Sequence, residues 1–324
     1  MLIRSILCSA ALGLSAFAPI NDLAASTADT ALAEEIGAGD DLPGSFFIKP
    51  AGEGPHPAII VMGGSEGNDA SARRMSELFT QQGYAVFGLI YYSPKYWGAS
   101  EAKFPQLPSA FASIPVEGAE RALNWLRERE DVRADAIGLY GVSKGAEYAL
   151  LAGSKIEGFA AIAAIVPSDV VWEGWGSSAE AGTSSSFSWR GEPLAFVPYI
   201  KMQEEIAKYG TDETPRLRTP QDAGRHHAPG RVPAARIRVE TIDEPVLVAG
   251  GDQDDVWASG EMAQAIAERR AEAGRETVSL IFPDAGHALS GDPTPNDWSS
   301  EADVEARKVI WPATLDFFAA HLKD

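Results

Sequence analysis

Apolar and polar positions alternate between two periods along most of the chain. Short apolar runs read as strands over 45–49, 57–62 (PAIIVM), 85–92, 136–140, 159–166, 245–249 (PVLVA) and 277–282; the β-branched run over 57–62, ending at glycines, has the pattern of a buried parallel strand. Between them, apolar residues recur at spacings of three and four. This predicts helices over 70–82, stopped by Gly83, and over 115–130, where Val116, Ala119, Leu123 and Leu126 share a face. Further helices are predicted over 146–151, 261–273 and 301–321. Strand–helix alternation repeated this often predicts an α/β domain with a mostly parallel central sheet and helices on both faces.

Residues 171–236 break the rhythm. They hold clusters of Ser, Gly and Pro and show no strand signal, yet they carry Trp172, Trp175, Phe187, Trp189, Phe196, Tyr199 and Met202. An insertion this long inside a domain is usually functional, and its aromatic content predicts an ordered lid over a site at the ends of the strands. Upstream, residues 26–44 are rich in Ala, Asp and Glu without periodicity and are expected to form a loose leader. Residues 1–25 read as a signal peptide: one positive charge at Arg4, an apolar run over 6–17, and small-residue cleavage patterns at Ala16-Phe17-Ala18 or Ala24-Ala25. The apolar run is shorter than the roughly 20 residues of a spanning helix, so no stable membrane insertion is expected once it is removed. The predicted organisation is thus a signal over 1–25, a leader over 26–44 and one catalytic domain over 45–324 with the insertion at 171–236. A periplasmic or secreted location follows. The lone cysteine, Cys8, falls in the signal, so the mature chain is expected to hold no thiol, disulfide or cysteine-based metal site.

Charge narrows the partners. A formal net charge of -19 argues against nucleic acid, which needs clustered Lys and Arg, and against polyanionic substrates. A small molecule is the expected partner; no oligomeric state is read from the sequence.

Two pentapeptides match G-x-S-x-G: Gly63-Gly64-Ser65-Glu66-Gly67 and Gly141-Val142-Ser143-Lys144-Gly145. The string alone also fits an ordinary glycine-rich turn, so context decides. A nucleophile elbow needs a strand, a sharp turn and an immediate helix. Ser143 has all three, with AIGLY before it and AEYALL after it. Ser65 comes two strands earlier, and Asn68 and Asp69 delay its helix. Ser143 is therefore the expected nucleophile. Ser65 and Glu66 fall on the oxyanion side, where the backbone N–H of Lys144 would be the second donor. Of five histidines, His56 precedes a strand, His226 and His227 lie in the insertion, and His321 lies in the last helix. His287 directly follows the last strand, with Gly286 to turn it inward, and is the expected base. The acid should follow the strand over 245–249, where Asp252, Asp254 and Asp255 are candidates. Asp254 is favoured at three residues past Gly251, with Asp255 next and Asp252 third. A calcium loop is the other reading of the three aspartates, although no EF-hand spacing follows. HExxH, CxxC and G-x-G-x-x-G are absent, so neither a metal nor a nucleotide cofactor is expected.

The runs GGSEGN, Tyr91-Tyr92, LPSAFASIPVEGAERALNWL, GVSKGAEYALL, VPSDVVW, SWRGEPLAFVP, GGDQDDVWAS and DAGHAL together resemble the catalytic domain shared by acyl-CoA thioesterases and bile-acid-CoA:amino-acid N-acyltransferases. The likeness covers roughly residues 57–322 and is most specific in GVSKGAE and the Asp-Asp-x-Trp stretch. It implies the α/β-hydrolase fold, a triad of Ser143, Asp254 and His287, and hydrolysis or transfer of an activated acyl group. The transferase branch resembles a cysteine-nucleophile group, so a serine here favours water as acceptor. The expectation is a serine hydrolase of an acyl ester or thioester. The alternatives are a peptidase of the same fold and a non-catalytic acyl-binding protein on a hydrolase scaffold.

Overall fold

The computed structural model describes residues 34–95, 100–176, 179, 182–208, 211–290, 294–295 and 298–323; the expected signal segment with Cys8 lies outside the described residues. In chain order the elements are β1 (Glu34–Gly37), β2 (Phe46–Lys49), β3 (His56–Met62), α1 (Ala70–Gln81), β4 (Ala85–Gly88), β5 (Ile114–Pro115), α2 (Glu117–Arg127), β6 (Val132–Val142), α3 (Lys144–Gly153) and β7 (Ala161–Ile165). There follow β8 (Phe187–Trp189), β9 (Glu192–Pro193), α4 (Met202–Ile206), α5 (Arg218–His227), α6 (Val232–Ala235), β10 (Val246–Gly251), α7 (Ser259–Glu272), β11 (Thr277–Phe282) and α8 (Glu301–Leu322).

Eight strands form one sheet in the order β1-β2-β4-β3-β6-β7-β10-β11. The pairs β1–β2 and β2–β4 are antiparallel and the rest are parallel. The apolar runs become central strands because both of their faces are covered. In β3, Ile60 and Met62 point into one core with Leu123 and Leu150, whereas Ile59 and Val61 point into another with Phe79 and Phe318. Such alternation is the two-residue period of a strand. Helices therefore cover both faces, as the pattern predicted. Among the described residues no helix is long and apolar enough to cross a membrane.

The structure corrects four local expectations. Glu34–Gly37, read as loose leader, pairs with β2 as the edge strand of the sheet. The strand expected over 85–92 leaves the ladder after Gly88, and the helix expected from 115 begins at Glu117 because Ile114 and Pro115 form β5. Pro115 lacks an N–H and suits a short strand end better than a helix interior. The insertion is not without strands: β8 pairs parallel with β5 and antiparallel with β9 in a separate three-stranded sheet. Strands of two or three residues are too short to show a period, which is why the sequence pattern missed them. Aromatic stacking fixes the insertion further, with Trp175 on Phe111 at 4.3 Å and Trp172 on Tyr199 at 5.7 Å between ring centroids.

One buried arginine secures the return of the insertion to the sheet. Arg270 on α7 donates from Nε to Thr277 Oγ1 (2.8 Å) and from its two terminal nitrogens to the carbonyls of Val239, Ile242, Glu244 and Glu276 (2.7–2.9 Å). An arginine has five N–H donors in a fixed fork, and here every one finds an oxygen. Arg270→Met strands those carbonyls in the interior, and an unpaired buried group costs about 1–3 kcal/mol. We expect Arg270→Met to lower unfolding stability by about 3–5 kcal/mol in urea titration, and Arg270→Lys, with fewer donors, to lose a smaller amount.

Candidate active site

The candidate site begins where β6 ends. Ser143 carries φ +55 and ψ -120, a conformation that side chains rarely adopt, and α3 starts at the next residue. Its N–H donates to the Ile165 carbonyl (2.9 Å), and its carbonyl accepts from Ala146 and Glu147 (2.9 and 3.1 Å). Strain of this kind costs about 1–3 kcal/mol and persists only where the surroundings enforce it. The flanking glycines show what enforces it. A Cβ on Gly141 would collide with the Gly145 carbonyl, and one on Gly145 with the carbonyls of Gly63 and Met62. Both collisions are with backbone, which has no rotamer to escape to. In the other pentapeptide, the added atom on Gly63 meets mainly the flexible Glu66 side chain, and Gly67, at φ +66, abuts Pro94 and Tyr92; the strain there falls on a glycine, because Ser65 has no positive φ. The two matches are thus physically different, and only Ser143 occupies a strained elbow.

His287 and Asp254 converge on Ser143 from the ends of β11 and β10. Ser143 Oγ lies 3.0 Å from His287 Nε2, and His287 Nδ1 lies 2.7 Å from Asp254 Oδ2. With Nδ1–H donating to the carboxylate, Nε2 carries a free lone pair toward the serine hydroxyl, an arrangement able to accept a hydrogen bond from it. The other Asp254 oxygen accepts from the N–H groups of Val256 (2.9 Å) and Trp257 (3.1 Å), which locks the carboxylate. Trp257 in turn donates from its indole to the Val166 carbonyl (3.2 Å) and sets its ring edge-on to His287 at 5.6 Å. The Asp-Asp-x-Trp motif therefore acts as one clamp. Asp254 is buried whereas Asp252 and Asp255 are exposed, so Asp254 alone among the three faces His287. Among the described residues no three His, Cys, Asp or Glu side chains gather as metal ligands, and the three aspartates do not converge as a calcium loop. His56, His226, His227 and His321 lie elsewhere: on β3, at the end of α5, and on α8.

The loop carrying His287 is pinned from two sides. Gln253 N–H donates to the Ala285 carbonyl (3.0 Å), and Gly286 N–H donates to Asp303 Oδ1 (2.6 Å). Asp303 also closes the capping box of α8 with Ser300. On the opposite side of Ser143, Tyr91 O–H donates to the carbonyls of Gly63 (2.6 Å) and Gly64 (3.3 Å) and holds the turn bearing Ser65 and Glu66. The Gly64 N–H is taken by Glu66 Oε1 (3.1 Å). The N–H of Lys144, at the first position of α3, belongs to the helix-end donors that have no intrahelical acceptor.

The Lys144 side chain does something the sequence reading missed. It lies fully inside the protein, 2.7 Å from Glu147, and donates to Ser186 of the insertion (3.1 Å). Phe111, Trp175, Phe187 and Trp257 surround its ammonium at 5.2–5.9 Å from ring centroid to nitrogen. Glu147 also accepts from the Trp172 N–H (3.3 Å). Burial pushes the Lys144 pKa down and the Glu147 pKa up, and their mutual attraction opposes both shifts. A signal for this pair exists in the sequence. Lys144 and Glu147 are the only charges in KGAEYALLAG, a stretch otherwise small or apolar all round, and such a helix is buried on every side.

Ser143 opens onto two recesses. A small one, about 180 Å³, is walled by Trp175, Tyr199, Met202, Ile206, Leu217 and Trp257. The other is a wide cleft of about 1300 Å³ that includes His287, Gln253 and Trp298. Ser65 borders both.

A family model described as BAAT / Acyl-CoA thioester hydrolase C terminal matches residues 114–296. Acyl-coenzyme A thioesterase 2, mitochondrial, of Mus musculus is 28% identical over 247 residues, which cover 76% of this chain and 47% of that one. Acyl-coenzyme A amino acid N-acyltransferase 2 of Rattus norvegicus is 24% identical over 269 residues, covering 83% and 57%. The chain spans about half the length of the curated relatives it matches. Among solved structures, an alpha/beta hydrolase enzyme from a Medee basin deep-sea metagenome library matches with a TM-score of 0.54 at 13% identity, covering 90% of this chain and 98% of that one. That likeness is one of fold.

The buried pair gives a direct test of how the elbow helix is held. Removing one member of a buried ion pair leaves an uncompensated charge, which costs about 3–5 kcal/mol. Lys144→Met and Glu147→Gln are each expected to lose about that much in urea unfolding. The double variant should lose clearly less than the sum of the two.

Proposed function

The chain belongs to the BAAT / acyl-CoA thioester hydrolase C-terminal family, and from that premise we propose that it is a serine acyl hydrolase acting on an ester or thioester through Ser143, His287 and Asp254. The observation that carries this is the unbroken contact chain from Ser143 Oγ through the imidazole to a buried carboxylate, 3.0 and 2.7 Å, on a strained elbow. Ser143 attacks the acyl carbonyl while His287 takes its proton, and Asp254 keeps the imidazole in the required tautomer. The Lys144 N–H and the Ser65–Glu66 turn receive the developing oxyanion; each such donor contributes about 3 kcal/mol of barrier lowering. His287 then protonates the leaving atom, and water admitted on the same side is activated to release the acid.

The direction of the substrate follows from the proton. A leaving atom must lie within reach of His287, which borders the wide cleft and not the small recess. The acyl group therefore occupies the small recess. Its walls come largely from residues 171–236, so the insertion serves as the lid over the acyl half of the site. A volume of about 180 Å³ is close to the roughly 150 Å³ of an engineered cavity that takes one benzene ring. A short acyl chain or a single aryl ring fits it. The N-terminal segment supports an exported protein, periplasmic or secreted.

A fluorophosphonate probe with peptide mapping tests the roles. Labelling at Ser143 is expected to survive Ser65→Ala and to vanish, with turnover, in Ser143→Ala; the reverse pattern would exchange the two serines. Asp254→Asn should retain the protein's fold and lower kcat by about 10⁴-fold. Across p-nitrophenyl esters, kcat/KM should peak at butyrate to hexanoate and fall by tenfold or more at palmitate, since even one misfitted methylene costs about 1–3 kcal/mol. A peptide amide hydrolysed faster than every ester would favour a peptidase.

A further inference from the structure

The cleft into which the leaving group departs has a charge of its own. Its described lining includes the carboxylates of Glu66, Asp255, Asp284 and Asp303, against a single guanidinium, Arg74. Four negative groups against one positive leaves a net charge of -3 with His287 neutral. Asp303 accepts from the N–H groups of Gly286 and Ser300, neutral donors that leave its charge in place. Asp255 and Asp284 are exposed at the mouth. Of the cations outside that lining, Arg218 is paired with Asp222 and Glu261, and Lys103 and Arg73 with Asp69, while the buried Arg307, one turn after Asp303 on α8, donates to Ser299 Oγ (2.6 Å). The whole chain, at -19, adds a field of the same sign. Fields of one sign focus in a low-dielectric cleft and there exclude ligands of like charge.

The acyl recess is a separate environment. Its walls are mainly aromatic and aliphatic, with Gln221 and Ser65 as uncharged polar members, and its one ammonium, Lys144, is already paired with Glu147. The site thus divides into an apolar half for the acyl group and an acidic half for what leaves. We propose that it selects against polyanionic leaving groups: the thiol or alcohol released by this protein is neutral or cationic, not phosphate-bearing. The inference rests on the assignment of Ser143 and His287, because the side occupied by the leaving group is fixed by the reach of His287. Members of the same family can then share the triad and differ in what they release, since the charge of this cleft is set by side chains outside the triad.

Three thioesters with one acyl group separate the charge of the leaving thiol from every other variable: butyryl-CoA (polyanionic), S-butyryl-N-acetylcysteamine (neutral) and butyrylthiocholine (cationic). Each releases a thiol measured by the same disulfide reagent. At low ionic strength kcat/KM is expected to rank butyrylthiocholine at or above the neutral thioester, with butyryl-CoA at least tenfold below it. Raising salt from roughly 20 to 500 mM shortens the screening length severalfold, so the value for butyryl-CoA should rise and that for butyrylthiocholine fall. In Asp255→Asn/Asp284→Asn the ratio of butyryl-CoA to neutral thioester should increase by threefold or more. Butyryl-CoA turned over as well as the neutral thioester at low salt, or a ratio unmoved by the double variant, overturns the proposal while leaving the hydrolase assignment intact. Release from none of the three while p-nitrophenyl butyrate is hydrolysed overturns the inference alone; hydrolysis of none of the four overturns the hydrolase assignment and the inference with it.

Discussion

The site depends on one close approach of backbone to backbone. The first turn of α3 is pressed so tightly against the end of β3 that Gly145 has no room for a single added carbon beside the Met62 and Gly63 carbonyls, and Gly141 none beside Gly145 itself. That contact leaves Ser143 between them in a left-handed conformation and projects its hydroxyl out of the sheet. Relaxing the elbow would require β3, β6 and α3 to separate. The strain is therefore maintained by the packing of the central sheet, whose strands are buried on both faces. Burial of the sheet and exposure of the serine are consequences of the same contact.

Around that point, the parts of the site arrive from distant segments and are fixed by polar bonds that reach across the fold. Asp254 is held by the N–H groups of Val256 and Trp257, and the His287 loop by Asp303 at the start of α8. The elbow helix is joined to the insertion by Lys144, Glu147, Ser186 and the Trp172 N–H. A buried charge pair is a poor source of net stability. Its value here is positional, because a misplaced insertion would leave Lys144 without its Ser186 oxygen and aromatic surroundings. Val166, a β-branched residue with φ +46, sits at the same junction and accepts the Trp257 indole N–H. Strain gathers where the ends of β6, β7 and β10 meet.

Much of this was legible in the sequence, and the boundary of legibility has a physical cause. Runs such as 57–62 and 245–249 became strands because burial on both faces leaves an unbroken apolar record. Ser143, Asp254 and His287 could be placed because each follows a strand, and strand order constrains where their side chains meet. Asp254 stood out from Asp252 and Asp255 only by spacing and resemblance; its burial and its grip on the following N–H groups are tertiary facts. Glu34–Gly37 was misread because an edge strand of four residues containing two glutamates has no apolar signature. The strands β5, β8 and β9 are shorter than any period. Lys144 and Glu147 were missed as a pair because charges at a spacing of three on a helix usually face water; the partner that buries them, Ser186, lies in another part of the chain.

The central claim is that Ser143 carries the acyl group between the two halves of the reaction. The most direct measurement is to mix the protein with an excess of p-nitrophenyl butyrate, quench in acid within the first turnovers, and locate the adduct by mass spectrometry of the digested chain. The account predicts a butyryl group on the peptide containing Ser143, lost over time as the acid is released. Turnover with no covalent adduct, or a butyryl group on the peptide containing Ser65, would contradict it.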